Sequence, residues 1–498
     1  MALVPMLHLL RLAGGGLRAG LAFKAGYLQG VVFFGLLIWW ITPTISQYGQ
    51  IPLAAAWCVF MALVLFLALF PAIWTWALSR LAASGSFATS LKRHPHQMAF
   101  PLAAAALWTL IEWVRSWIFT GFPWGVLGYG LAGEPWLIQS ASVWGLWGVT
   151  FLAALVNCCL YMPFLGRSQA VSGTVLLALA MGLLLFVGSE QMASDGPKER
   201  GLKEEGGGLC ACAIQGAFDQ FEKWDPQMRR RTVERYLELT RKARRECSCS
   251  EGPPLMVWPE TAMPFYFQDD SEQRQQVLNL ARKLQIVLLT GSPAYVRDGR
   301  SVAYLNSAWL ISPDGRVSSY SKRHLVPFGE YLPFGPLTSW MRSFLPTAGD
   351  FQAGTSADPL PAGPYRVGVL ICFESIFPEL ARQEVVHGAN ILAVITNDAW
   401  FGDTAAPWQH AAMAIFRAVE NRRFVIRAAN TGISQIISPE GKVLATSGLF
   451  RPEFICSMVE PRSGLTFYAR HGQWWFVGLL SVIIVTAYLL FRPKMARQ

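Results

Sequence analysis

Uncharged or nearly uncharged runs, each long enough to cross about 30 Å of hydrocarbon, recur along this chain at Ala25–Ile45, Pro52–Leu78, Met98–Phe119, Ala141–Leu165 and Val171–Gly188, with one more at Gln473–Phe491. Backbone polar groups find no water in a bilayer core, so such runs must be helical. The polar stretch between the fifth and sixth runs, about Ser189 to Gly472, has ordinary globular composition. The expected organisation is therefore a membrane bundle of about five transmembrane helices over 1–188, an extracytoplasmic domain over 189–472 that should carry the chemistry, and a C-terminal transmembrane helix with a basic cytoplasmic tail over 473–498. A chain that is 53% hydrophobic and 15% charged fits this division and not a wholly soluble protein.

Orientation follows from the short loops, because Lys and Arg collect on the cytoplasmic side. Arg11, Arg18 and Lys24 precede the first run; Arg80, Lys92 and Arg93 separate the second and third; Arg167 separates the fourth and fifth; Arg492, Lys494 and Arg497 follow the last. The alternate loops, Ser46–Ile51 and Thr120–Ser140, hold neither Lys nor Arg. Both termini are thus expected in the cytoplasm and the polar domain outside. Met1–Gly16 lacks a basic stretch before its apolar run and does not read as a cleaved signal.

The net charge of +10 is scattered over helices and loops instead of forming a stripe, so nucleic acid is not an expected partner. In the third run, Glu112 and Arg115 stand three apart on one helical face. They read either as an ion pair that neutralises itself or as a group acting near a lipid headgroup.

In the polar region, strands are expected at Leu209–Gln215, Leu255–Val257, Ile286–Thr290, Tyr365–Cys372, Ile391–Thr396, Phe424–Ala428, Gly432–Ile437 and Lys442–Ala445. A hairpin of Ala303–Ser312 and Gly315–Ser321 turns at Pro313-Asp314-Gly315, and helices are expected at Asp225–Cys247 and Ser271–Leu284. The alternation implies a layered α/β domain.

Three segments place a reactive group just past a buried strand, where open α/β sheets put their sites: Val-Trp-Pro-Glu ending at Glu260, Ser321 to Glu330, and Val369 to Glu374. By itself Cys372 reads as a buried core cysteine. As a nucleophile it needs a base or cation to manage its proton. Glu260 and Lys322 meet that need if the strand ends converge.

These segments resemble the Glu-Lys-Cys signature of the nitrilase superfamily, and with the flanking spans the chain resembles its membrane-embedded branch, the apolipoprotein N-acyltransferases. Further matching segments are Phe221–Pro226, Thr396–Gly402, Pro407–His410, Thr466–Arg470 and Glu112–Trp124. The resemblance implies a four-layer αββα sandwich joined to a transmembrane helical bundle. It implies Cys372 as nucleophile, Glu260 as general base and Lys322 as the cation at the oxyanion. It also implies Glu330 and Glu374 as supporting carboxylates, with structural hydrogen bonding as their alternative reading. Trp224, Asn306 and Trp400 fall where the family lines its substrate site; ordinary packing, or for Asn306 a hydrogen-bonding core position, is the alternative.

The implied reaction takes an acyl chain from a phospholipid, expected to be phosphatidylethanolamine, onto Cys372 and then passes it to the N-terminal amine of a diacylglyceryl-cysteine apolipoprotein. A membrane-tethered amidohydrolase, with water in place of the amine, is the alternative activity. The implied location is the bacterial inner membrane with the catalytic domain periplasmic, and the expected state is a monomer. The family's usual eight spans exceed those seen here, and Met1–Arg11 resembles the tail of its second. No cofactor or metal is expected, since neither a Gly-rich phosphate loop nor a metal-type His pair occurs. Cys210, Cys212, Cys247 and Cys249 form two C-x-C pairs. They read as structural thiols, free or disulfide-bonded, with a four-thiolate zinc site as the alternative.

Overall fold

The computed structural model describes residues 3–12, 19–82, 94–193, 208–219, 226–247, 252–299, 301–333, 335 and 349–491. The chain divides into two compact units, one of Met1–Trp39, Trp57–Ser194 and His471–Gln498, the other of Trp40–Ala56 and Asp195–Arg470.

The first unit is helical: α1 (Val4–Leu12), α2 (Ala19–Leu37), α3 (Leu53–Ala82), α4 (His94–Arg115), α5 (Ala141–Tyr161), α6 (Arg167–Ala193) and, after the polar region, α11 (Trp474–Phe491). Among the described residues, 6 helices are long and apolar enough to cross a membrane: five precede the polar region and one follows it. The boundaries differ from the hydropathy reading for local reasons. Helix α4 stops at Arg115 because Phe119 and Thr120 take positive φ (53° and 78°) and reverse the chain. That reversal is held from within the helix. Arg115 Nη1 donates to the carbonyls of Phe122 and Trp124 at 2.6 and 2.7 Å, while the Glu112 carboxylate accepts the Leu127 N–H at 3.2 Å. The two side chains are 3.7 Å apart. The pair therefore satisfies a turn that hydrocarbon could not, which is a structural use of buried charge.

The second unit is built on two six-stranded sheets, in the orders β12-β1-β2-β3-β4-β5 and β11-β10-β9-β8-β7-β6. The strands are β1 (Leu209–Gln215), β2 (Leu255–Val257), β3 (Val287–Asp298), β4 (Ser301–Ile311), β5 (Val317–Ser321), β6 (Leu360–Ala362), β7 (Tyr365–Ile371), β8 (Ile391–Thr396), β9 (Val425–Ala429), β10 (Gln435–Ile437), β11 (Val443–Thr446) and β12 (Glu453–Val459). Successive side chains point to opposite faces. In β1, Leu209, Ala211 and Ala213 enter the core between the sheets, whereas Cys210, Cys212 and Ile214 enter a second core beneath helices α7 (Pro226–Glu246) and α8 (Glu272–Leu284). Helices α9 (Pro378–Val386) and α10 (Ala406–Asn421) cover the other sheet. The result is the αββα sandwich.

Sequence patterning missed three strands or parts of strands. β3 runs on through Gly291-Ser292-Pro293 to Asp298, although Gly and Pro read as breakers, because its whole length pairs antiparallel with β4. β6 is only three residues long, and β12 closes the sheet edge antiparallel to β1, a long-range pairing that leaves no local signal. β12 also brings in a cysteine from outside the C-x-C pairs, since Cys456 is disulfide-bonded to Cys247. Cys210 is disulfide-bonded too, and Cys212 is a free thiol 3.7 Å from the Cys247 sulfur. Cys249 lies outside the described residues.

Candidate active site

Four strand ends of the two sheets deliver the site. β2 is followed by Trp258-Pro259-Glu260, β5 by Lys322, β7 by Cys372 and β8 by Asn397. Parallel pairing sets the ends of β7 and β8 side by side: Ile371 is in register with Ile395, so Cys372 comes next to Thr396.

Glu260 is fixed by what surrounds it. Trp258 is buried, stacks on Tyr236 with ring centres 5.1 Å apart, and donates its indole N–H to Thr240 at 2.8 Å. Gly291 of β3 lies so close that a Cβ there would run into the Glu260 Cα and the Thr261 nitrogen, so only glycine lets the two backbones meet. The carboxylate accepts the Asn306 amide on Oε1 at 2.7 Å and the Asn397 backbone N–H on Oε2 at 2.9 Å.

Lys322 is almost wholly buried. Its Nζ lies 2.9 Å from both Glu330 oxygens and 3.8 Å from Glu260 Oε1. Burial alone would pull its pKa down, but Glu330 and Glu260 more than offset this and hold it above its ordinary value, so the ammonium stays charged. Asn306 also donates to Glu330 at 2.9 Å and so links the two carboxylates that flank the lysine.

Cys372 takes a left-handed backbone conformation, with φ 53°, at the head of a short 3-10 turn. Glu374 holds that turn. It is fully buried and accepts the Ile371 N–H at 2.7 Å, the Arg323 N–H at 2.7 Å and the Tyr320 hydroxyl at 2.9 Å. One carboxylate thus ties the cysteine turn to the lysine loop, and burial raises its pKa. The Cys372 pKa is also raised, first by burial and then by the Glu260 charge, with Lys322 acting the other way. At rest the sulfur is a thiol, and to act as a nucleophile it would have to lose its proton.

Among the remaining candidates, Trp400 lies on the turn Asp398–Phe401 and is 38% exposed. The π-helical turn Thr44–Tyr48 holds it: Thr44 donates to the Trp400 carbonyl at 2.8 Å and Tyr48 meets its ring edge-on at 5.5 Å. Trp224 lies outside the described residues. Sequence reasoning assigned no role to Asn397, Thr396, Asp398, His410 or Arg427, all of them buried here. Thr396, Asn397, Asp398 and His410 fall in segments that match the family, without a role attached to any of them, and Arg427 stands out only as a charge in the middle of an apolar strand.

Residues 1–159 match the model of the apolipoprotein N-acyltransferase N-terminal domain, and residues 212–460 match that of the carbon-nitrogen hydrolases. The chain is similar to the apolipoprotein N-acyltransferase of Geobacter metallireducens, 39% identical over 95% of this chain and 88% of that one. It is 34% identical to the Methylococcus capsulatus enzyme of the same name, over 92% and 86% of the two chains. A solved structure, Saccharomyces cerevisiae Nit3 of the nitrilase superfamily, covers 51% of this chain and 90% of its own at 20% identity and a TM-score of 0.40.

Proposed function

Because the chain belongs to the apolipoprotein N-acyltransferases, we propose that it moves an acyl chain from a phospholipid to the N-terminal amine of a diacylglyceryl-cysteine lipoprotein, through a thioester on Cys372. The observation that carries the assignment of residues is that Glu260 and Lys322, both buried, share one hydrogen-bonded cluster with Glu330, and that the charges of Glu260 and Lys322 act on the Cys372 thiol.

In the first half-reaction Glu260 takes the thiol proton as Cys372 Sγ attacks the ester carbonyl. The carbonyl oxygen becomes an oxyanion, which the Lys322 ammonium stabilises; such stabilisation is worth about 3 kcal/mol per donor. When the intermediate collapses, the C–O bond breaks, Glu260 returns the proton to the leaving alkoxide, and lysophospholipid departs. In the second half-reaction the amine of the diacylglyceryl-cysteine attacks the thioester carbonyl. Glu260 accepts its proton, the C–S bond breaks as the intermediate collapses, and Glu260 passes the proton to the departing sulfur, which regenerates the Cys372 thiol. Glu330 keeps Lys322 charged and aimed, and Glu374 keeps the cysteine turn in place. Trp224, Asn306 and Trp400 are assigned to the substrate site, Asn306 through its hold on Glu260.

Phosphatidylethanolamine is the proposed donor, and the enzyme acts as a monomer. It resides in the bacterial inner membrane, with the bundle over 1–188, a periplasmic catalytic domain over 189–472 and a last span and basic tail over 473–498. Both substrates are membrane-anchored, which accounts for a catalytic domain bounded by spans on each side.

The test is to incubate purified protein with labelled phosphatidylethanolamine and look for a hydroxylamine-sensitive acyl adduct by mass spectrometry. Wild type should form it and Cys372→Ala should not; the same result from both would end the thioester mechanism. Adding a diacylglyceryl peptide should yield N-acylated peptide. Free fatty acid without that product would favour a hydrolase instead.

A further inference from the structure

Beneath the cysteine turn lies a buried network that the mechanism above does not use. His410, on α10, has its Nδ1 3.0 Å from Asp398 Oδ1 and 3.3 Å from Arg427 Nη2, and its Nε2 2.9 Å from the Ser375 hydroxyl and 3.2 Å from the Cys372 carbonyl oxygen. Arg427 donates to Asp398 Oδ2 at 2.6 Å, and the Thr396 hydroxyl donates to Oδ1 at 2.7 Å. Ser375 Oγ is 2.8 Å from the Cys372 carbonyl.

We propose that His410 is a positioning residue of the acyl-transfer site: through Ser375 and the Cys372 carbonyl it holds the nucleophile's turn in its left-handed conformation, while Asp398 and Arg427 fix the ring. This rests on the reading of Cys372 as the nucleophile.

The argument begins with strain. A non-glycine residue in the left-handed region costs about 1–2 kcal/mol and persists only where its surroundings over-determine it. Cys372 is such a residue, and its Sγ must point into the pocket shared with Glu260. Glu374 secures the turn through the Ile371 N–H, on the strand side. The carbonyl side needs a second clamp, and His410 with Ser375 is what lies there.

The protonation pattern agrees with a holding role. Asp398 is an acceptor only, held low at about 2 by Arg427 and His410 against the opposing effect of burial, so the facing Nδ1 carries the ring proton. Burial, and then Arg427, push the His410 pKa below its ordinary value, with Asp398 and the Cys372 carbonyl opposing them. Nε2 lies within hydrogen-bond distance of both the Ser375 hydroxyl and the Cys372 carbonyl, and the single Ser375 proton goes to that carbonyl.

The network reaches the base as well. Asp398 directly follows Asn397, whose N–H holds Glu260 Oε2. One ring therefore ties together the segment that orients the base and the turn that presents the nucleophile. An error of about 1 Å between such groups can cost about a hundredfold in rate.

The test compares His410→Ala, His410→Gln and Ser375→Ala in the full-length protein, reading single-turnover thioester formation from labelled phosphatidylethanolamine, its concentration dependence, and the melting temperature. His410→Ala should slow thioester formation by about 30- to 100-fold with the apparent donor affinity within about twofold. His410→Gln, which keeps a hydrogen-bonding amide near Ser375, should recover about tenfold of that loss, and Ser375→Ala should lose about tenfold. An Ala variant within about threefold of wild type, equal impairment of the Ala and Gln variants, or a loss expressed only as weaker donor binding would overturn the inference. Where His410→Ala does not fold, Ser375→Ala decides: a wild-type rate sinks the proposal. If wild type itself forms no adduct, it is the assignment of Cys372 that has failed, so the two failures are distinguishable.

Discussion

The Asn306 amide donates to Glu260 Oε1 at 2.7 Å, from the strand next to the one that Lys322 follows. With its second bond, to Glu330, this neutral side chain sets the spacing of two carboxylates that would otherwise repel each other around one ammonium. Asn306→Leu should leave Glu260 short of a donor and let the carboxylates shift. Thioester formation should fall by about 10- to 100-fold, the cost of about 1–3 kcal/mol for an unsatisfied buried acceptor. Single-turnover kinetics will check it; an unchanged rate would mean that Asn306 only packs.

Glu374 offers a sharper stability prediction. Glu374→Ala strands the Ile371 and Arg323 N–H groups and the Tyr320 hydroxyl in a dry interior, and about 3–5 kcal/mol should be lost. Glu374→Gln keeps one acceptor oxygen and should lose less. Denaturant unfolding in detergent gives both numbers.

Gly291→Ala tests the close approach of β3 to Glu260. The added methyl meets backbone rather than a movable side chain, so the Glu260 segment must shift. We expect about 1–3 kcal/mol of destabilisation together with loss of activity, whereas Gly133→Ala, where a Cβ meets nothing within 4 Å and φ is not positive, should show no loss of activity. Equal effects at the two sites would refute the explanation.

The pH dependence has a definite sign at Glu384. Burial raises this carboxyl from its ordinary 4.5 to about 8, against the opposing pull of Arg323. A raised carboxyl favours folding while it is protonated, so its contribution is full below pH 4.5 and is lost as pH rises toward 8. Relative to Glu384→Gln, wild type should therefore lose stability from pH 5 to 8, by up to a few kcal/mol on the scale of about 1.4 kcal/mol per unit. Melting curves of the two proteins across that range should converge or cross; parallel curves would show that Glu384 titrates at its ordinary pH.

How much of this was legible in the chain depends on the range of the interaction. The spans were readable because about 20 consecutive apolar residues have no other good use, and β1, β2, β7 and β8 because strands buried on both faces are apolar throughout. β12 and the Cys247–Cys456 link were not, since each joins residues far apart in the sequence. The role of Glu112 and Arg115 was left open for the same reason: which carbonyls Arg115 meets depends on a reversal at Phe119 and Thr120 that hydropathy does not encode.

Composition and spacing by themselves determined that the chain would span a membrane, that a layered α/β unit would interrupt those spans, and that Glu260, Lys322 and Cys372 would each stand close to the end of a strand. Tertiary structure decided their chemistry. Only the pairing of β7 with β8, the Asn306 bridge, and the burial of Lys322 between two carboxylates bring these groups under one another's charge. A pKa depends on solvent exclusion and on neighbours in space, and neither is a property of position along the chain.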